Sequence, residues 1–204
     1  PIELSEMIPF GRAVASSAVS ALVVVDLPFG SYEVSDDQAL TNSIRVMKET
    51  GADAVKLEGA KLSQIRALVS SGIPVMGHVG FTPQSVNTLA GYKVQGRTEQ
   101  DAARILQECK DIEAAGAFAV VLEMIPAELA RDISQKLAIP TIGIGAGADC
   151  DGQILVWQDF AGLGTRSPKF AKQYLNLRQD LSAAATAFRN EVVAGEFPAP
   201  EQQF

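Results

Sequence analysis

The chain has 204 residues, a formal net charge of −7 and a pI near 4.8. This acidic balance argues against a nucleic-acid or anionic membrane surface. The two cysteines, Cys109 and Cys150, provide neither a disulfide framework nor a Cys-x-x-Cys metal site, and they fit a reducing cytoplasm. No apolar run reaches the roughly 18 residues of a membrane span, and we expect no signal peptide. The length predicts one domain over residues 1–204.

Short apolar runs alternate with helical patterns along the chain. Strands are predicted at residues 21–25, 54–59, 74–78, 118–122, 141–147 (running into a glycine-rich turn) and 153–157. Helices are predicted at residues 4–19, 36–50, 62–71, 98–116, 126–136, 170–174 and 177–194. The long polar segment at 79–97 indicates a functional loop. Its Lys93 and Arg97 are either solvated or serve a large anionic co-substrate.

This alternation predicts parallel strands joined by right-handed crossovers. Both a doubly wound open sheet and a (β/α)8 barrel fit it. Four predicted strands carry a polar residue at the carboxyl end: Asp26, Glu58, His78 and Glu123. In a barrel these ends converge on one rim, whereas an open sheet would spread them apart. We therefore predict a TIM barrel whose first two strands are absent from this sequence, with a C-terminal helix and tail at about 177–204.

The predicted strand at 54–59 places two charged side chains on one face. Lys56 and Glu58 alternate with apolar neighbours, so both point the same way. Burying such a pair is costly unless the charges are paired or used. One interpretation is therefore an internal ion pair between them, and the other is that they are two separate groups of an active site.

The three carboxylates of the predicted rim are hard oxygen ligands that suit octahedral Mg²⁺ better than zinc. In this interpretation Lys56 would hold a substrate carboxylate, and one carboxylate would move protons in enolate chemistry on an α-oxo acid. Each residue also has a structural alternative. Asp26 could form a turn, Glu123 could cap the following helix, and His78 could be a core histidine. Cys109 lies on the apolar stripe of the helix at 98–116, which predicts packing.

Several long motifs, in order, resemble those of the ketopantoate (3-methyl-2-oxobutanoate) hydroxymethyltransferase family. They are residues 26–32 (DLPFGSY), 55–59 (VKLEG), 77–84 (GHVGFTPQ), 91–97 (GYKVQGR), 122–126 (LEMIP), 142–147 (IGIGAG), 151–153 (DGQ) and 168–170 (PKF). The resemblance covers essentially the whole chain. Taken alone, the glycine pattern at 143–147 is a weak signal.

The resemblance implies a (β/α)8 barrel of the phosphoenolpyruvate/pyruvate type in a Mg²⁺-dependent cytoplasmic enzyme that forms a homo-oligomer, often a decamer. The implied reaction transfers a hydroxymethyl group from 5,10-methylenetetrahydrofolate to 3-methyl-2-oxobutanoate in pantothenate synthesis. It implies metal binding by Asp26 and Glu58, and Asp26 also lies at the substrate. It further implies that Lys56 holds the substrate carboxylate, that Glu123 is the acid/base, and that His78 lies in the substrate pocket with an open role.

Two departures from the family pattern stand out. The family's Gly-Asp-Ser motif, which supplies another metal ligand and a serine for the substrate, does not occur here. The segment 162–167 is also shorter than the family leads us to expect. Two alternatives remain open: a Mg²⁺-dependent lyase or mutase of the isocitrate lyase/phosphoenolpyruvate mutase type, and a barrel that has lost its metal site and serves as a scaffold.

Overall fold

The computed structural model describes residues 2–89 and 91–204. Its helices are α1 (Leu4–Ser17), α2 (Asp36–Thr50), α3 (Leu62–Ser70), α4 (Glu99–Ala114), α5 (Ala127–Ser134), α6 (Trp157–Phe160) and α7 (Leu177–Ala194). Its strands are β1 (Val24–Asp26), β2 (Ala54–Lys56), β3 (Val75–Gly80), β4 (Ala119–Glu123), β5 (Thr141–Ile144) and β6 (Gly152–Gln153). Short 3₁₀ turns occur at Pro83–Ser85 and Pro200–Gln202.

All six strands are parallel, and their order in the sheet is their order in the chain. A doubly wound sheet would reverse its strand order at a switch point, whereas a (β/α) barrel keeps chain order throughout. Strand order thus decides between the two predicted architectures in favour of the barrel. Every carboxyl end lies at the same edge of the sheet, which is the edge that carries the candidate site.

The core lies on both faces of the sheet. In β4 the four residues before Glu123 are all buried, as expected of a parallel strand covered on both sides. Helix α4 packs Ile105, Cys109 and Ile112 into this core. Cys109 is fully buried, and burial raises the pKa of its thiol to about 12. It is therefore an inert packing residue, as its position on the apolar stripe predicted.

Helix ends follow the local sequence. Ser35 caps α2 by accepting a hydrogen bond from the Gln38 amide, and Gly51 ends that helix in the left-handed conformation. Thr98 caps α4 in the same way, through the Asp101 amide. These caps confirm the predicted starts of both helices.

Some predicted boundaries were wrong. Strand β2 ends at Lys56, so Glu58 lies in the loop after it, and His78 lies inside β3 because β3 remains paired with β4 up to Gly80. The predicted helix at 170–174 does not form. The last strand is Gly152–Gln153, and Trp157 instead begins α6. Isolated short segments carry little periodic signal, which explains these errors.

The contacts divide the chain into two compact units, one ending at Ile154 and the other comprising Leu155–Phe204. The first unit contains the whole sheet, and the second contains α6 and α7. None of the residues of α7 is buried. The expectation of one domain over residues 1–204 stays a prediction. Within residues 2–89 and 91–204, no helix is both long enough and apolar enough to cross a membrane.

Candidate active site

The ends of β1 and β2 bring an acid and a base together. Asp26 and Lys56 are register partners in the parallel pair, so their side chains leave the sheet side by side. The Lys56 ammonium lies 2.9 Å from Asp26 Oδ1. The ion pair of Lys56 is therefore formed across strands with Asp26, and the interpretation that pairs it with Glu58 on its own strand was wrong. Asp26 is the last residue of β1, and its carboxylate makes this ion pair.

The same ammonium lies 3.0 Å from Nδ1 of His78, the chain's only histidine. Burial lowers the pKa of His78 to about 3, and the charge of Lys56 lowers it further than the opposing effect of Asp26 raises it. The imidazole is thus neutral near pH 7. Because an ammonium can only donate, Nδ1 is the acceptor and the proton is on Nε2.

The protonated nitrogen of His78 faces the next strand. Nε2 lies 3.2 Å from Glu123 Oε2, although the angle between them is too poor for a well-formed hydrogen bond within the described part of the chain. His78 is only 3% exposed. His78 is therefore a buried histidine that has a hydrogen-bond partner, Lys56, at Nδ1 and a nearby carboxylate, Glu123, at Nε2. It is not a core residue with both ring nitrogens hydrogen-bonded.

Glu58 is the most buried carboxylate of the cluster, at 5% exposed. Its Oε2 accepts a hydrogen bond from the Gln84 amide at 2.9 Å, and its Oε1 lies 3.8 Å from His78 Nδ1. Burial raises the pKa of Glu58 to about 7, although the Gln84 amide and the charge of Lys56 act in the opposite direction. Its ionised form is therefore only weakly favoured near neutral pH.

Glu123 ends β4, and its side chain is 14% exposed. Burial raises its pKa to about 7, against the lowering effect of Lys56. The alternative that Glu123 caps α5 was wrong, because Pro126 occupies the cap position and no side chain caps that helix. A carboxyl whose pKa lies near neutrality can both take and return a proton, which is what an acid/base catalyst requires.

The backbone around Glu123 is tightly held. The Phe81 amide donates to the Glu123 carbonyl at 2.8 Å, and the Gln95 amide donates to the Met124 carbonyl at 2.9 Å. Met124 has φ of 48°, an uncommon left-handed conformation for a residue with a side chain. Gly80 has φ of 92°, and a Cβ there would lie 2.2 Å from the Glu123 carbonyl oxygen. Only glycine allows β3 to approach β4 this closely.

The comparisons with known proteins agree with the motifs that the sequence carries. A family model described as ketopantoate hydroxymethyltransferase matches residues 1–200. The chain belongs to this family. A 3-methyl-2-oxobutanoate hydroxymethyltransferase from Thermobifida fusca (strain YX) is 55% identical over an alignment of 206 positions that covers 100% of this chain and 74% of that protein. The protein of the same name from Leifsonia xyli subsp. xyli is 55% identical over an alignment of 207 positions, with the same coverage.

Solved structures of lower identity share the fold. Phosphoenolpyruvate phosphomutase from Streptomyces platensis subsp. rosaceus has a TM-score of 0.56 at 17% identity, covering 95% of this chain and 69% of that one. The structure of 2,3-dimethylmalate lyase, a PEP mutase/isocitrate lyase superfamily member, has a TM-score of 0.53 at 17% identity, covering 100% and 71%. These likenesses confirm the predicted barrel fold. A third, phosphonopyruvate hydrolase in complex with oxalate and Mg²⁺, has a TM-score of 0.55 at 14% identity, covering 97% and 71%.

The residues present fit the Mg²⁺ that the resemblance to this hydroxymethyltransferase family implies. Asp26 Oδ1 is buried and, within residues 2–89 and 91–204, has no well-formed hydrogen bond despite its closeness to Lys56. Glu58 is a buried carboxylate whose ionisation a nearby cation would favour. No group of three or more His, Cys, Asp or Glu side chains in the described ranges is arranged around one ion. Mg²⁺ itself commonly takes one or two carboxylates and completes its shell with water and substrate oxygens.

All five predicted site residues lie in one cluster at the carboxyl edge of the sheet. Two further residues of the cluster were missed, Tyr32 and Gln84. Both lie in motifs that carry the resemblance to this hydroxymethyltransferase family, at 26–32 and 77–84. A buried tyrosine in a loop after a strand has no periodic signal of its own, so only its place in the motif could have indicated it.

Proposed function

We propose that this chain transfers a hydroxymethyl group from 5,10-methylenetetrahydrofolate to 3-methyl-2-oxobutanoate, giving 2-dehydropantoate, in pantothenate biosynthesis. The observation that carries the proposal is the 55% identity, over the whole chain, to relatives named for this reaction. The cluster of three carboxylates, one lysine and one neutral histidine supports it, because these groups suit proton removal next to a carbonyl.

In this proposal Lys56 binds the carboxylate of the oxo acid. Its ammonium already lies between Asp26 and His78 at the carboxyl edge, and only 15% of its side chain is exposed. A partly buried ammonium interacts more strongly with an anion than a surface one does. Asp26 and His78, which flank it, would line the same substrate pocket.

Asp26 and Glu58 would hold Mg²⁺. When bound, this ion supplies stabilisation of the negative charge that develops on the substrate's oxo oxygen. In the metal-free site the negative charges of the two carboxylates repel each other, and the charge of Asp26 therefore raises the pKa of Glu58.

Glu123 would remove the proton from C3 of the oxo acid, and the resulting enolate would bond to the methylene carbon of the folate as one of its two C–N bonds breaks. Water would then replace the second nitrogen at that carbon, which leaves a hydroxymethyl group on the product. The proton from C3 and one proton from water would end on the two nitrogens of the released tetrahydrofolate. The pKa of Glu123 near 7 supports this role. At neutral pH the carboxylate is available as a base, and the carboxylic acid that it becomes can return the proton. His78 Nε2 lies 3.2 Å from Glu123 Oε2, and once the two groups align its N–H would donate to the Glu123 carboxylate and orient it.

The experiment is isotope exchange at C3 in D₂O, with Mg²⁺ and without folate. Replacing Glu123 by Gln should slow exchange by about 10² to 10⁴, the usual contribution of a positioned general base. The matched control is Glu128→Gln, an exposed glutamate on α5, which should exchange like the wild type. Normal exchange in Glu123→Gln would remove Glu123 from this role.

The lyase or mutase alternative is distinguished by the one-carbon donor. The fold neighbours of that kind are no more than 17% identical, so they support the fold alone. Turnover of the oxo acid in the absence of methylenetetrahydrofolate would favour a lyase or mutase. Strict dependence on the folate would support the transferase, and the absence of both Mg²⁺ binding and turnover would favour a scaffold.

We also propose that the protein acts in the cytoplasm as a homo-oligomer, a decamer by family resemblance. Two observations support this. The cysteines are unpaired, and α7 exposes large apolar side chains that an interface would cover: Leu181, Phe188, Val192 and Val193. Light scattering at two protein concentrations would give the oligomeric state directly.

A further inference from the structure

Four hydrogen bonds join the loops that follow β1, β2 and β3. The Tyr32 hydroxyl donates to Gln84 Oε1 at 2.7 Å and accepts from the Glu58 amide at 3.2 Å. Gln84 donates from its side-chain nitrogen to the Leu27 carbonyl at 2.8 Å, and from its backbone to Glu58 Oε2 at 2.9 Å. The four bonds therefore tie together three loops, and each bond spans between 26 and 57 positions in sequence.

Within these bonds, the hydroxyl, the amide oxygen and the amide nitrogen of the two side chains each have a partner. The Tyr32 hydroxyl is both donor and acceptor, and Gln84 uses its oxygen as an acceptor and its nitrogen as a donor. Tyr32 is 1% exposed, and burial raises its pKa so that the hydroxyl stays protonated and able to donate. This network favours one geometry, because another arrangement would leave the buried Tyr32 hydroxyl without one of its partners.

We propose that Tyr32 and Gln84 are positioning residues that fix Glu58 at both its backbone and its carboxylate. Tyr32 holds the Glu58 amide, and the anchored Gln84 backbone holds Oε2. The remaining oxygen, Oε1, is thereby directed towards His78, 3.8 Å from Nδ1. The inference deepens the proposed function, since a fixed carboxylate binds a cation without first losing rotamer freedom.

We call the hydrogen bonds of Tyr32 and Gln84 to Glu58 the brace. The first test measures the brace itself, without substrate or metal. Amide hydrogen exchange of Glu58 and Gln84 is followed by NMR in the wild type and in Tyr32→Phe, which keeps the buried ring but removes both bonds of the hydroxyl. Exchange should become at least about tenfold faster at both amides. Tyr174→Phe is the control, because Tyr174 is 66% exposed and in the second unit, and it should change neither amide.

The second test measures the dissociation constant of Mg²⁺ by calorimetry. Tyr32→Phe and Gln84→Met should each weaken binding by about 10-fold or more, as is usual for residues that orient a ligand. The double variant should lose less than the two single losses combined, because either substitution already breaks the shared bond. Gln107→Met, on the exposed surface of α4, is the control. Gln84→Met also keeps the proposal testable if Tyr32→Phe folds poorly.

Failure of this inference differs from failure of the proposed function. Unchanged amide exchange in a folded Tyr32→Phe protein overturns the brace. So does unchanged Mg²⁺ binding in Tyr32→Phe and Gln84→Met when Glu58→Gln has lost it. If the wild type binds Mg²⁺ but shows no folate-dependent transfer, only the proposed function fails. If it does not bind Mg²⁺, the exchange rates alone decide the brace.

Discussion

The Lys56 ammonium lies 3.0 Å from His78 Nδ1, and this contact determines which nitrogen of the imidazole carries the proton. It is the middle link of a row of contacts that crosses four consecutive strands: Asp26, Lys56, His78 and Glu123. The charge of Lys56, the second residue of the row, lowers the pKa of Glu123 at the β4 end.

The protonation of His78 can be observed directly, because it is the only histidine. We expect ¹⁵N spectra of the metal-free protein to show a bare Nδ1, a protonated Nε2 and no titration between pH 5 and 8, since burial keeps the pKa near 3. In Lys56→Met the ring loses the donor at Nδ1 and a neighbouring positive charge. The pKa of His78 should then rise and the other tautomer should become populated.

Lys136→Met removes an exposed lysine in the turn that follows α5 and serves as the control for the histidine spectra. It should leave them unchanged. A wild-type spectrum with the proton on Nδ1 would contradict the assigned tautomer and the orienting role of His78 towards Glu123.

The close approach of β3 and β4 predicts that Gly80→Ala is severely destabilising. The new Cβ would lie 2.2 Å from the Glu123 carbonyl oxygen, and φ of 92° is itself strained for alanine. We expect a loss of unfolding free energy above about 3 kcal/mol, as for other overpacked and strained sites. Gly51→Ala is the control. It has a similar φ of 77° but nothing within 4 Å of its Cβ, so it should cost only about 1 kcal/mol. Equal costs in denaturant titrations would contradict the steric argument.

The buried carboxyl of Glu123 should make the metal-free protein less stable as the pH rises. Its pKa moves from an ordinary 4.5 to about 7 on folding, so the folded state holds a proton that the unfolded state has released between these values. The contribution of this carboxyl to the free energy of unfolding is therefore fully present below about pH 4.5 and is lost as the pH passes through 7. Glu123→Gln should remove about 1 to 3 kcal/mol of this pH dependence.

Denaturant titrations at pH 5 and 8, with a chelator present, measure the difference. Glu58 shows a shift of the same direction and cause, so part of the slope should remain in the single variant. The remaining slope of stability against pH should decrease again in the double variant with Glu58→Gln. Identical slopes in wild type and Glu123→Gln would show that this carboxyl is not protonated by folding.

Mg²⁺ should raise the melting temperature of the wild type, because a ligand that binds only the folded state stabilises it by mass action. Asp26→Asn and Glu58→Gln should abolish most of this increase, since each removes a negative oxygen donor from the proposed site. Asp132→Asn, on a side chain that is 52% exposed, is the control and should respond to Mg²⁺ like the wild type. A normal increase of the melting temperature in both site variants would show that Mg²⁺ binds at other residues.

Much of this protein could be predicted from local pattern. Buried strands were predicted from apolar runs, and helices from amphipathic stripes with recognisable caps. Parallel strands bring their carboxyl ends to one edge, so the polar residues near those ends were predicted to form one rim. The motifs then indicated the family. All five predicted site residues lie in one cluster for the same reason.

Tertiary structure alone decided which of these residues touch. Lys56 pairs with Asp26 because the register of β1 and β2 sets them side by side, whereas the sequence had left open an ion pair with Glu58. The pKa values near 7 at Glu58 and Glu123 arise from burial by distant segments, and the bond of Tyr32 to Gln84 spans 52 positions. Local sequence determines which side chains reach the rim, but register, burial and long-range hydrogen bonds determine what each side chain does there.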